Sequence, residues 1–317
     1  MKAALCTKYG PPEVLQLHEV EKPIPKDNEV LIKIHATAVT ASDCIIRGFK
    51  MPGDHRFPTK QFMELMMRLY VGFRKPKNPI IGLVLSGEIE VAGKDIEKFK
   101  KGDQVYGFTG YSFGTYAEYK CMSEKESTRG CLAVKPDNIG HEDTASVAYG
   151  GMLATHFMRN WNIQSGQKVL IYGASGAIGT LAVQLAKHFG AEVTGVCSTS
   201  NIELVKSLGA EKVIDYTEQD SINKLELYDY ILDAVGKNKS SDLKVQCKKA
   251  LTQNGQYTSV DDGLLKLRSE YLKQLKEIIE AGHLRPVIDR SYPLERIVEA
   301  HEYVDTGHKK GSVVITI

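Results

Sequence analysis

No C-x-x-C pair occurs in the sequence, and its six cysteines (Cys6, Cys44, Cys121, Cys131, Cys197 and Cys247) are scattered along the chain. That spacing disfavours a structural zinc lobe and a disulfide framework, so buried or incidental thiols are expected. No apolar run approaches the roughly 18 residues of a membrane span, and the opening MKAALCTKYG lacks the basic and apolar regions of a secretion signal. A cytoplasmic location is expected on those grounds. An excess of one charge is missing too: 41 basic and 39 acidic residues leave a formal charge of +2. A broad polyanion-binding surface, such as nucleic acid requires, is therefore not expected. Low-complexity tracts and short repeats are also lacking, so the expected partner is a small molecule. A length of 317 residues suits two domains better than one core.

What is present changes character along the chain. To about Tyr119, short β-like runs (KAALCT, VLQLHEV, EVLIKIHATAV, SGEIEVAG, DQVYGF and GTYAEYKC) are separated by turn residues near 10–12, 25–28 and 101–103. A β-rich, barrel-like unit is expected there. From about Asp143, strand-like and helix-like runs alternate: KVLIY, GTLAVQLAKHF, AEVTGVC, IELVKSLGA, KVIDY, YDYILDAV, SDLKVQCKKALTQ and GQYTSV. Such alternation argues for a parallel sheet with crossover helices. The tail, SEYLKQLKEIIEAG, LERIVEAHEYV and SVVITI, is expected to fold back onto the first unit.

The stretch KVLIYGASGAIGTLAVQLAKHFGAEVTGVCST, residues 168–199, places glycines between a strand and a helix whose apolar positions Ile178, Leu181, Ala182, Leu185 and Ala186 repeat at helical spacing. Aligned to the dinucleotide fingerprint, the loop is Ala174, Ser175, Gly176, Ala177, Ile178 and Gly179, with alanine in the first glycine position. Gly176 would let backbone approach a diphosphate, Gly179 would let helix and strand pack closely, and the free amides of the helix end would hold the anion.

A carboxylate about 20 residues further on would favour NAD. The chain instead reads Cys197, Ser198, Thr199, Ser200, Asn201, and the nearest acids in sequence, Glu192 and Glu203, lie away from the strand end. A 2′-phosphate would meet no like charge and several hydroxyl donors there, so NADPH is the expected cofactor. The same serines suit an N-cap before Ile202.

Together YGPPEVLQL, VLIKIHATAVTASD, NPIIGLVLSGEIEVAGKDIEKFKKGDQVYGF, GTYAEY, VLIYGASGAIGTLAVQLAKHFGAEV, ILDAVG and HKKGSVVITI make the chain resemble the medium-chain dehydrogenase/reductase superfamily over nearly its whole length. The resemblance implies an α/β fold with a GroES-like β-barrel catalytic domain, residues 1–122 and 264–317. It also implies a Rossmann-type parallel sheet with flanking helices, residues 123–263. Zinc alcohol dehydrogenases of that superfamily carry metal ligands where this sequence has Thr40, Leu83 and, most nearly, Gly151. No catalytic zinc is therefore expected. The sequence is most similar to the zinc-independent quinone oxidoreductase and enone reductase branch, which implies hydride transfer from NADPH to a small, apolar, electrophilic quinone or α,β-unsaturated carbonyl.

By the same resemblance Thr40, Ser42 and Asp43 line the cleft from the barrel side, while Tyr149 and Thr155 approach the nicotinamide from a connecting helix. Tyr149 or Ser42 would donate to the carbonyl oxygen; equally, water would protonate the product and Tyr149 only pack. Tyr216 lies against the adenine, and Ala234, Val235, Gly236, Ser259 and Val260 follow strands whose ends face the cofactor. Relatives usually have a basic residue directly after the last glycine. Here Ser312 follows Gly311, and Lys310 is the available substitute.

After Val260 the chain runs through DDGLLKLR straight into a helix, leaving little room for a sixth strand. A five-stranded nucleotide-binding sheet, and with it a monomer or an atypical dimer, is expected. Residues 47–77 hold eight Lys or Arg against two acids, a local charge of +6, and Phe62, Leu65, Met66, Leu69 and Tyr70 share a helical face with Met63 and Met67 beside them. That segment suits a cover over the cleft, a lid for apolar quinones or a foot on an anionic membrane surface. Two other functions stay open: a zeta-crystallin-like NADPH-binding protein with little turnover, and an alcohol dehydrogenase.

Overall fold

The computed structural model describes residues 1–49, 64–65, 68–69, 71–236, 241–263 and 265–317. In chain order its first part comprises β1 (Lys2–Cys6), β2 (Leu15–Glu19), β3 (Glu29–Val39), α1 (Ala41–Gly48), β4 (Val84–Ala92), β5 (Gln104–Phe108), β6 (Tyr119–Ser123) and β7 (Cys131–Val134). A long helix, α2 (His141–Met158), leads into β8 (Lys168–Tyr172), α3 (Gly179–His188), β9 (Glu192–Cys197), α4 (Ile202–Ser207), β10 (Lys212–Asp215), β11 (Tyr228–Asp233), α5 (Asp242–Cys247) and β12 (Leu251–Ser259). The chain ends with α6 (Ser269–Glu280), β13 (Ile288–Pro293), α7 (Ile297–Asp305) and β14 (Ser312–Thr316).

The strands form three sheets. β1 and β2 make an antiparallel pair. Seven strands follow the order β13, β14, β3, β4, β5, β7, with β6 pairing β3 from off that path. The returning tail joins this sheet because Val313 and Val314 pair with Val39 and Ala38. The sheet also runs past the boundary expected at residue 122, since β7 pairs antiparallel with β5, Val105 opposite Val134.

The third sheet has five strands, all parallel, in the order β10, β9, β8, β11, β12. Four consecutive apolar residues of β8 are buried, as expected of a parallel strand covered on both faces. The residues described between β12 and α6 add no sixth strand. Leu181 and Leu185 of α3 are buried against this sheet, each contributing about 1.5–3 kcal/mol relative to exposure. Gly195 of β9 is needed for the approach of α4, since a Cβ there would stand 2.4 Å from a Val205 methyl.

No described helix is long and apolar enough to cross a membrane. The amphipathic face expected over residues 62–70 falls mostly outside the described residues; of its members Leu65 and Leu69 are described, both exposed.

Candidate active site

α1 begins with a capping box. The Thr40 hydroxyl accepts from the Asp43 amide, while Asp43 Oδ2 accepts from the Thr40 amide at 2.8 Å and its hydroxyl at 2.7 Å. These bonds commit two of the expected cleft residues to ending the helix. Thr40→Ala should therefore cost about 1 kcal/mol of stability, read as a lower urea midpoint. Asp43 is fully buried, and burial pushes its carboxyl up to about 7 despite the opposing bonds from Thr40 and Tyr116.

One residue earlier, Ser42 reaches across to α2, its hydroxyl 2.7 Å from that of Tyr149. The Tyr149 ring stacks on Phe108 at 5.8 Å, and burial raises its phenol to about 12. The next residue, Gly150, meets the glycine loop: a Cβ there would lie 2.2 Å from the Ala177 carbonyl oxygen. Tyr149 and Gly150 thus join the hydroxyl pair to the loop through adjacent positions on one helix. Thr155, six residues on, is turned roughly 120° around α2 from Tyr149, and its buried hydroxyl has no hydrogen-bond partner among the described residues.

The loop follows β8 directly. Gly173 takes a φ of +82°, and its amide and that of Ala174 donate to the Val196 carbonyl, tying the loop to β9. A Cβ on Gly179 would stand 2.1 Å from the Gly173 oxygen, so only glycine allows this helix-to-strand contact; one on Gly176 would meet nothing closer than 3.6 Å. No side chain caps α3, although its Thr180 amide donates to the Gly176 carbonyl at 2.9 Å, and an uncapped helix N-terminus suits an anion. An open glycine at the inner curve beside an uncapped helix end fits a diphosphate.

Around the loop three other segments converge. Asn201 Nδ2 donates to the Ser175 and Ser198 hydroxyls at 3.2 and 3.1 Å. From the tail, the Gly311 amide donates to the Ser175 carbonyl at 2.8 Å, and Lys310 Nζ approaches the Ser200 carbonyl at 3.5 Å. Ser312 is turned away, its hydroxyl bonded to the Ser146 carbonyl. On the other side the Ala234 amide donates to Tyr172, and those of Val235 and Gly236 donate to Asp233. Val260 donates to the Asp233 carbonyl, so the ends of β11 and β12 are held together by one residue. Ser259 is buried beside them, and Tyr216 is half exposed at the end of β10.

One expectation is corrected. The turn after β9, where the adenosine end was expected, does meet a carboxylate, because parallel pairing sets Asp215 of β10 beside Cys197 of β9. Its oxygens accept from the Thr199 hydroxyl and from the Thr217 hydroxyl and amide. Sequence distance hid it, since Asp215 is 36 positions past Gly179; the strand run KVIDY, ending level with the turn after β9, was the available signal. Asp233 was missed likewise. It is buried, paired with Lys244 at 2.7 Å, and signalled only by its place at the end of a strand.

A catalytic metal finds no donors at the three family positions. The Thr40 hydroxyl is committed to Asp43, Leu83 is buried and apolar, and Gly151 faces Leu275. Among the described residues no cluster of three or more His, Cys, Asp or Glu could hold a metal ion.

This architecture, a mainly antiparallel sheet closed off by the parallel pair β13 and β14 and joined to a five-stranded parallel sheet with its glycine loop, defines a class. The family model for an alcohol dehydrogenase GroES-like domain matches residues 26–136, and models described as zinc-binding dehydrogenase match 177–260 and 262–315. The mitochondrial NAD(P)H oxidoreductase RTN4IP1 of Mus musculus is 30% identical over 368 residues, covering 100% of this chain and 89% of the relative. The 2-methylene-furan-3-one reductase of Solanum lycopersicum is 32% identical over 99% of this chain and 79% of its own length. Among solved structures, the quinone oxidoreductase from Coxiella burnetii superposes with a TM-score of 0.83 at 27% identity, covering 100% of this chain and 99% of that one. The chain belongs to the medium-chain dehydrogenase/reductase superfamily, in its quinone oxidoreductase branch.

Proposed function

We propose that this oxidoreductase reduces quinones or α,β-unsaturated carbonyls with NADPH and without zinc. The observation that carries the reading is the adjacency of Tyr149 and Gly150, which sets a half-buried hydroxyl pair next to the dinucleotide loop. When bound, the nicotinamide supplies the hydride. The protein's part is to orient the two reactants and to donate to the oxygen on which negative charge develops. With its pKa at about 12, the Tyr149 hydroxyl stays protonated at neutral pH and can donate, while Ser42 Oγ behind it donates in turn. Such help suits an acceptor that is already electron-poor; oxidation of an alcohol would lose the Lewis acid that lowers the hydroxyl pKa in the zinc enzymes, since the three family positions offer no ligands. The names of the relatives, an NAD(P)H oxidoreductase and an enone reductase, support the nicotinamide cofactor and the acceptor class.

Support for NADPH comes from Lys310 over Ser200 and from the hydroxyls of Ser198 and Ser200. Lys310→Ala should weaken NADPH about 10- to 100-fold, the loss of one bond to a charged group, and leave NADH nearly unchanged. The direct test follows absorbance loss from NADPH and from NADH with ortho-quinones, para-quinones and short alkenals, with metal assayed on the same sample. Turnover with NADPH in metal-free protein is the expected result. Saturable NADPH binding with no acceptor reduced would instead mark a binding protein, and turnover that tracks metal content would mark a dehydrogenase of another kind.

A further inference from the structure

Asp215 has only 2% of its surface exposed, and the hydroxyl protons around it have little choice of direction. Its Oδ2 accepts the Thr199 hydroxyl; its Oδ1 accepts the Thr217 hydroxyl at 2.7 Å and the Thr217 amide at 2.9 Å. Burial works to raise the carboxyl's pKa, yet the bonds from Thr199 and Thr217 hold it below its ordinary value. An ionised carboxylate only accepts, so both threonine protons are committed to it. The two hydroxyl oxygens stand 3.0 Å apart. With their protons turned to Asp215, they present lone pairs to each other and to the groove in front.

A third acceptor lies close by. Asn201 spends its amide protons on Ser175 and Ser198, and its buried Oδ1 has no partner among the described residues. Facing acceptors call for a donor. Ribose hydroxyls donate, whereas a 2′-phosphate, largely dianionic at neutral pH, accepts and is repelled by a carboxylate. Lys310, beside Ser200, has the opposite preference.

We propose that Asp215 is the specificity-determining residue of the adenosine end. By fixing the protons of Thr199 and Thr217, it turns this end toward ribose hydroxyls and holds down the preference for NADPH over NADH that Lys310 confers. The inference rests on the dinucleotide reading of the site given above. Asp215 acts through the two threonines and is a positioning residue.

Dissociation constants for NADPH and NADH, read from nicotinamide fluorescence with the full chain, test it. In Asp215→Asn the charge is gone and the new amide donates to one threonine, releasing that hydroxyl to donate outward. The ratio of NADPH to NADH affinity should rise about 10-fold or more. Thr199→Val and Thr217→Val remove one acceptor each and leave the carboxylate in place, so both should weaken NADH more than NADPH; they decide the matter alone if the Asp215 variant does not fold. Equal weakening of both cofactors, the mark of a structural role, overturns the proposal, as does an unchanged ratio. A wild-type chain that binds neither dinucleotide overturns the site reading along with it, and that result is plainly different from an unchanged ratio.

Discussion

Tyr149→Phe should lower kcat about 100-fold, with KM for the acceptor and the melting temperature nearly unchanged. The size follows from loss of one preorganised donor to a developing oxyanion, worth about 10²–10³ in rate. The split follows from the geometry: phenylalanine keeps the stacking on Phe108, so packing survives and only the hydroxyl facing Ser42 is lost. Ser42→Ala should cost less, about 10-fold, because it removes the group behind the donor. The two losses should not add, since the hydroxyls act as a pair. If Tyr149→Phe keeps its full kcat, water delivers the proton and Tyr149 only packs. Steady-state rates with the best acceptor, at saturating NADPH, separate these results.

How much of this was legible in the sequence differed between local and long-range features. The glycine loop, its strand and its helix were readable because their signals lie within about 20 residues and depend on period and turn chemistry. The five-stranded sheet was readable from the short connection after Val260. The returning tail was expected, but its crossing over the loop at Gly311 is a tertiary fact that no local pattern carries. Asp215 shows the limit most clearly. Sequence proximity offered only Glu192 and Glu203, which lie away from the strand end, whereas strand register puts Asp215 beside the turn after β9. The buried group of Arg47, Tyr116 and His301 was hidden for the same reason, its members being spread over three distant segments.

That buried group leads to the second large effect, a loss of stability in mild acid. Arg47 can only donate, so the His301 Nδ1 at 3.0 Å from it accepts, and Nε2–H donates to the Tyr116 hydroxyl at 3.1 Å. His301 is therefore held neutral: burial first, then the Arg47 charge, lowers its pKa to about 3. His156 is lowered to about 4 by burial, with Arg159 and Lys266 adding to it, and His141 to about 4 by burial, with His35 and Lys135 adding. Each imidazole takes a proton in the unfolded chain near pH 6.5 but stays neutral in the fold until near pH 4, so each contributes stability above 6.5 that is lost as pH falls. Asp43 works the other way. Its folded pKa of about 7 lies above the unfolded value, so its contribution is present in acid and lost as pH rises. Between pH 6.5 and 4.5 the unfolded state thus binds three protons more through the histidines and one fewer through Asp43. Through these four groups the net excess of two protons lowers stability by up to about 2.7 kcal/mol for each pH unit lost, and His35 and His188, also lowered by burial, act in the same direction. Urea midpoints at pH 7.0, 5.5 and 4.5 should drop accordingly. His301→Gln, which can still accept from Arg47 and donate to Tyr116, should reduce that slope by about one proton's share, 1.4 kcal/mol per unit. A slope unaltered by the substitution would place the acid sensitivity elsewhere in the molecule.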